Sequence, residues 1–369
     1  MVQGSLLRLL FLGIVSILLV GVAPADARRT ALEATVEDLL GLEVHPVAIG
    51  HRGFGANLGE DPTRPIENTA RGVRWGFRAG LSVVEVDVQR TLDGEIVAYH
   101  NDFLSDFTCI NQLTRREVQA RLPHIPTLRA VLMQARSFNR PWGPLRGLVI
   151  VELKALSPLC DPGDMQERAL VLSVGDVIRR VTMTEQVVLT SFSPALLFHA
   201  KMEIPEVARS LTISGLQFLT PEEVKAAVKD ELGEVSVTLI DKQLDLGLQW
   251  AEIGRVFRLP GYRSIEELIV TTAVVGARVV EVDLFLLGSA GAPLVHVLHS
   301  VDLKVFGWTV NNAAEWHFLQ SLGVDGIYTN DVPLGIDLQA PIPSSGLPHG
   351  PTVPVDRHGH EQLKTMNRR

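Results

Sequence analysis

The sequence is short of positive charge. Thirty-four Lys and Arg stand against forty-two Asp and Glu, a net charge of −8. A protein that grips a nucleic-acid backbone needs clustered cations, so no nucleic-acid partner is expected. Cysteine is scarcer still: two residues, Cys109 and Cys160, allow one bridge at most. No glycine-rich dinucleotide-binding turn is present, which counts against an open, doubly wound sheet. Long apolar runs are nearly absent too. The one exception is "LLFLGIVSILLVGVA" at 9–23, preceded by Arg8 and followed by the small residues "ADA" at 25–27.

That exception reads as a secretory signal peptide over residues 1–27, which places the mature chain outside the cytoplasm, periplasmic or secreted. The alternative is an uncleaved membrane anchor over residues 9–25. Cleavage after Ala27 removes one cation, Arg8, and one anion, Asp26, so the net charge stays at −8. No later run approaches a membrane span, and the rest is expected to be soluble.

What remains is an ordinary globular composition, 46% hydrophobic and 21% charged over 369 residues. Short β-rich runs alternate with helical patterns. The strand-like runs are 47–50, 83–88, 148–153, 187–192, 207–213, 279–284, 304–310 and 326–329. Helical stretches fall between most of them, among them 67–80 and 220–232, the second opened by a Thr/Glu capping box. Strands separated by helices in this way predict a (β/α)₈ TIM barrel over 46–338, with a doubly wound sheet as the alternative. An Asp-Gly turn in "TLDGEIVAYH" predicts a β-hairpin after the second strand. The stretch before the sixth strand is too long for one crossover and holds a candidate extra strand at 235–240. Residues 28–45 form a short N-terminal segment. Residues 339–369 are rich in Pro, Gly and His, lack apolar periodicity and are expected to be disordered.

Two stretches nearly repeat: "VVEVDVQRTLDGEIVAYH" at 83–100 and "VVEVDLFLLGSAGAPLVH" at 279–296. Each has Glu, then Asp two residues on, then His. Side chains at i and i+2 of a strand share a face, so Glu85 and Asp87 are neighbours. Carboxylates that close repel unless a cation lies between them. An all-oxygen set suits a hard divalent ion, Ca²⁺ or Mg²⁺. In a barrel, reactive residues gather at the C-terminal ends of strands. His51 follows the first strand, and Glu152 and Lys154 end the third. Arg52 and His100 join the same end. A cation site, two histidines and two basic side chains are the parts needed to split a phosphodiester. His296 is expected on a helix opened by Pro293. Glu281 and Asp283 face the pocket at most as residues that shape it for substrate.

The motifs "GHRG", "ENTA", "VEVDVQRTLDG", "IVAYHND", "VELK", "GWTVNN" and "VDGIYTND" occur in this order between residues 47 and 337. Together they resemble the glycerophosphodiester phosphodiesterases, a metal-dependent TIM-barrel family. The resemblance implies that Glu85, Asp87 and Glu152 bind one divalent cation, Ca²⁺ or Mg²⁺. It implies that His51 and His100 form the acid/base pair and that Arg52 and Lys154 hold the phosphate. Glu67 and Asn68 would lie at the edge of the site, and Trp308 would flank the substrate. The implied reaction converts a small glycerophosphodiester and water to sn-glycerol 3-phosphate and an alcohol. One departure bears on Glu67: Ile66 separates it from Pro65, where the family has Pro directly before the Glu. Within this frame Cys109 and Cys160 fall in loops at one barrel face, after adjacent strands, and a disulfide between them is expected if the chain is exported. Two other functions stay open: phospholipase D-like or lyase chemistry on lipid phosphodiesters, and a non-catalytic binding barrel.

Overall fold

Eight of the apolar runs close on themselves. The computed structural model describes residues 34–41, 46–139, 145–157, 160–219, 223 and 262–339. Strands β1 (Val47–Gly50), β2 (Val83–Arg90), β4 (Leu148–Leu153), β5 (Val187–Ser191), β6 (Ala208–Ile213), β7 (Val279–Asp283), β8 (Lys304–Val310) and β9 (Gly326–Thr329) pair in parallel and in chain order. The β1–β2 pairing closes the ring, with Ile49 opposite Val83, and leaves it without an open edge. β3 (Ile96–Ala98) pairs antiparallel with the end of β2 and forms the expected hairpin.

Parallel strands are buried on both faces, and the Val- and Ile-rich runs provide for that. The outward residues Val84, Val86 and Val88 join Val73 and Phe77 of α2 (Ala70–Ala79) and Leu128 and Leu132 of α4 (Leu128–Arg136) in the main core. The inward residues Ile49, Val83, Ile150, Val188, Phe306 and Tyr328 fill the lumen. Helix α1 (Val36–Leu40) contributes Val36, Leu39 and Leu40 to that second cluster and seals the barrel at its N-terminal end. A fully buried side chain such as Ile49 contributes roughly 1.5–3 kcal/mol.

Expected and observed strands differ by a residue or two at their ends. The helix expected at 67–80 starts at Ala70, because Thr69 is its cap and Glu67 and Asn68 turn towards the lumen. The sixth expected strand, β7, stops at Asp283, which caps α8 (Leu284–Ser300) by accepting from Leu286 N. That helix bends at Gly291, whose φ of 60° and ψ of −154° are not helical; Pro293 opens the second part, which carries His296. The other described helices are α3 (Arg115–Arg121), α5 (Glu167–Arg180), α6 (Pro194–Glu203), α7 (Ile265–Val275) and α9 (Ala313–Leu322), with α10 (Val332–Leu338) following the last strand. No described helix is long and apolar enough to cross a membrane. The expected signal peptide, the tail beyond residue 339, the helix at 220–232 apart from residue 223, and the strand at 235–240 lie outside the described residues.

Candidate active site

The polar end of the lumen begins where the apolar layers stop. On β2, Val83 faces the apolar filling, and Glu85 and Asp87 follow on the same face. Asp87 stands opposite Glu152 of β4 in the ladder. An oxygen from each of Glu85, Asp87 and Glu152 lies within 4.8 Å of the others. Glu85 and Asp87 are buried, at 3% and 1% exposure. Glu85 Oε2 accepts from the Arg52 backbone N–H at 2.8 Å, while its Oε1 is buried with no hydrogen-bond partner. A buried carboxylate oxygen left without a donor, facing two more carboxylates, fits a hard divalent cation. Burial and the charges of Asp87 and Glu152 raise the Glu85 carboxyl well above its ordinary range. Burial would raise Asp87 as well, but Lys154, His100, Arg52 and an Asn68 hydrogen bond outweigh it and hold that carboxyl far below.

Two cations border the carboxylates. Lys154, 1% exposed, places Nζ 3.1 Å from Glu152 Oε1 and 3.5 Å from Asp87 Oδ1. The Arg52 guanidinium donates to Glu67 Oε1 at 2.8 Å, and its Nε lies 3.7 Å from Asp87 Oδ2. Arg52 adopts a φ of 50° and Asn68 a φ of 56°, left-handed conformations uncommon for residues with a side chain. Each is over-determined by what it holds. The turn aims the Arg52 N–H at Glu85, while Asn68 donates to Asp87 Oδ2 and accepts from the Asp87 N–H, both at 2.9 Å. Glu67 is buried and also accepts from Asn57 N at 3.0 Å. The intervening Ile66 therefore does not displace it from the site.

His51 follows β1 directly. Its Nδ1 meets Asn330 Oδ1 at 2.8 Å, and the Ala56 N–H donates to the same oxygen at 2.7 Å. A backbone N–H can only donate, so the oxygen of Asn330, not its NH₂, must face both groups. Nδ1 is then the protonated nitrogen, and Nε2 carries the lone pair. Gly55, with φ of +96°, makes this close approach possible, since a Cβ there would collide with the Asn330 carbonyl. Burial and Arg52 lower the His51 pKa to about 3, against the opposing charge of Asp87. Burial lowers His100 to about 4, with Lys154 and Arg52 adding to it and Asp87 opposing. Both rings are thus close enough to Asp87 to feel its charge.

Trp308 of β8 is half-buried and packs edge-to-face on Phe192, with ring centroids 5.6 Å apart. The disulfide Cys109–Cys160 ties the loop after β3 to the loop after β4, with Cα atoms 5.7 Å apart. Asn111 Nδ2 donates to the Cys160 carbonyl at 2.8 Å. Asn330 is the site residue that sequence reasoning missed. It stands inside "VDGIYTND", so the motif was visible, but its bond to His51 spans 279 positions.

The second stretch is taken apart by the fold. Glu281 points into the lumen, where Thr212 Oγ1 donates to Oε2 at 3.0 Å and in turn bonds Thr190 Oγ1 at 2.7 Å. Burial raises its pKa to about 7, against the hydroxyls of Ser210, Tyr328 and Thr212 and with some help from Glu152. Asp283 has a structural task. It is occupied as a cap, accepting from Ser214 Oγ at 2.7 Å, Gly215 N at 2.9 Å and Leu286 N at 2.8 Å. His296 is exposed on α8.

The profile of the Glycerophosphoryl diester phosphodiesterase family matches residues 51–334. The chain belongs to this family. It is therefore a phosphoric diester hydrolase, with a (β/α)₈ TIM barrel as its fold. Solved structures share that fold. One, from Silicibacter pomeroyi DSS-3, is assigned as a glycerophosphoryl diester phosphodiesterase; it has 21% identity and a TM-score of 0.60, covering 83% of this chain and 98% of its own. The glycerophosphodiester phosphodiesterase of Thermotoga maritima has 16% identity and a TM-score of 0.54, covering 80% and 98%. A phosphodiesterase of Oleispira antarctica, solved with the product sn-glycerol-3-phosphate, has 17% identity and a TM-score of 0.55, covering 80% and 96%. A comparison with curated protein sequences finds no match.

Proposed function

We propose that this phosphodiesterase hydrolyses a small glycerophosphodiester to sn-glycerol 3-phosphate and an alcohol, with one Ca²⁺ or Mg²⁺ held by Glu85, Asp87 and Glu152. The observation that carries the proposal is the convergence of three carboxylates beside Arg52 and Lys154, with His51 and His100 both near Asp87. The product named for the Oleispira antarctica enzyme supports the same reaction class. When bound, the cation supplies Lewis-acid stabilisation of the phosphoryl charge.

The residues of the chain do the rest. Arg52 and Lys154 hold the non-bridging phosphoryl oxygens by charge-assisted hydrogen bonds. His51, with Nδ1–H committed to Asn330, presents the Nε2 lone pair to the attacking water and takes its proton, and the water oxygen stays on the phosphate. The anionic diester favours protonation of a neighbouring imidazole. With His51 as the base, His100 is the ring assigned to give a proton to the leaving alcohol oxygen. Trp308, packed edge-to-face on Phe192, flanks the substrate at the mouth. Glu67 and Asn68 act through Arg52 and Asp87 rather than on the substrate. We further propose export through residues 1–27; the Cys109–Cys160 bridge favours an oxidising compartment.

The test is release of glycerol 3-phosphate from glycerophosphocholine, glycerophosphoethanolamine and glycerophosphoglycerol. Each is assayed after chelation and again after adding back Ca²⁺ or Mg²⁺. Cation-restored release from at least one is expected. Failure on all three would remove this substrate class.

A further inference from the structure

β2 carries one more side chain on the face that holds Glu85 and Asp87. Gln89 is the next residue along it and is completely buried. Its Nε2 donates to the carbonyl of Tyr99 at 3.0 Å and to the carbonyl of Asn101 at 2.7 Å. These are the residues on either side of His100. Both hydrogens of the amide are used, and two facing carbonyls leave no choice over which end of the amide points at them. The price is visible at the other end: Gln89 Oε1 is buried with no hydrogen-bond partner. A methionine in the same space would not carry that desolvation cost. Filling the space therefore does not explain a glutamine here, whereas its pair of donors does.

His100 needs such support. β3 ends at Ala98, and the last bond across the hairpin runs from Tyr99 N–H to the Asp87 carbonyl at 3.0 Å. Beyond it the chain leaves the ladder. The His100 ring is bonded through Nδ1 to Asn101 Oδ1 at 3.0 Å, so its direction depends on where Asn101 stands. The Asn101 backbone is one of the two groups that Gln89 holds. The linkage runs from β2 through Gln89 and Asn101 to the imidazole.

We propose that Gln89 is a positioning residue. It clamps the two peptide groups flanking His100, so the strand that aims the metal carboxylates also sets the place of the proton-transfer ring. This rests on the role proposed above for His100.

The experiment is a double-mutant cycle with Gln89→Met and His100→Ala, measured on metal-loaded enzyme. Glycerophosphocholine, whose poor alkoxide leaving group needs a proton as it departs, is the substrate, and glycerol 3-phosphate accumulated over long incubations keeps residual rates readable. Gln89→Met should lower kcat about 10- to 100-fold, the range for a misplaced catalytic group. KM and the calorimetric affinity for Ca²⁺ should stay within about twofold, because Gln89 touches neither phosphate nor carboxylate. In the His100→Ala background the same change should cost no more than about twofold further, since residues acting as one unit are not additive. Gln89→Leu also removes both donors without adding charge and should behave alike; it repeats the cycle if Gln89→Met does not fold. Additive losses, an unchanged kcat, or Ca²⁺ affinity falling in step with kcat would each overturn the assignment. A near-normal rate in His100→Ala alone would instead remove the role of His100 itself.

Discussion

Glu281→Gln should make the metal-free protein more stable, by an amount that grows as pH rises from 4.5 to about 7 and is constant above that. In the folded chain burial raises this carboxyl from 4.5 to about 7. A difference of about 2.5 pH units at 1.36 kcal/mol each amounts to roughly 3 kcal/mol. The sign follows from which state holds the proton more tightly. Here the folded state does, so the contribution is most favourable below pH 4.5 and is lost as pH rises through about 7. Above that, the folded protein carries a buried carboxylate supported by the Thr212 hydroxyl. Glutamine fills the same space and does not ionise. Urea unfolding in chelator at pH 5, 6, 7 and 8.5 reads the effect. The variant and the parent should agree within about 1 kcal/mol at pH 5 and differ by about 3 kcal/mol at pH 8.5. Glu85 titrates in both proteins, so the difference between them is the quantity to follow. Two parallel curves would show that Glu281 is not held in the environment described.

The other expectations concern the site and its supports. Glu85→Gln removes one of three converging carboxylates and should weaken Ca²⁺ binding by more than about a hundredfold, read by calorimetry; undiminished affinity would mean the cation sits elsewhere. Asn330→Ala frees His51 Nδ1 and should lower kcat about tenfold or more while cation affinity holds. Equal rates in variant and parent would show that His51 needs no help to keep its tautomer. Reduction and alkylation of Cys109 and Cys160 releases a bridge spanning 51 positions, for which loop entropy gives up to about 4 kcal/mol of stability lost in denaturant titrations. Superimposable titrations of oxidised and reduced protein would contradict that.

Much of this was legible in the order of residues. The eight barrel strands are short β-rich runs, four of them dominated by Val, Ile and Leu, and their centres fell where the runs are. Two-residue periodicity placed Glu85 beside Asp87, and strand ends collected His51, Glu152 and Lys154, because both are local rules of backbone geometry. The ends of elements were less legible. Whether Glu67, Asn68 and Asp283 continue a helix or strand depends on partners such as Arg52, Asp87 and Ser214, which lie far along the chain.

The two near-identical stretches mark the division. By itself the sequence determined that each would be a strand with Glu and Asp on one face. Only the closed barrel brings Lys154 to ion-pair distance of Asp87 and Glu152 at the first pair, and splits the second between a buried carboxyl and a helix cap. The sequence could not join Asn330 to His51, or Gln89 to the two peptides around His100. Periodicity is a property of neighbours along the chain. A carboxylate becomes a ligand, a cap or a buried acid according to the charges and donors that the closed barrel brings to it.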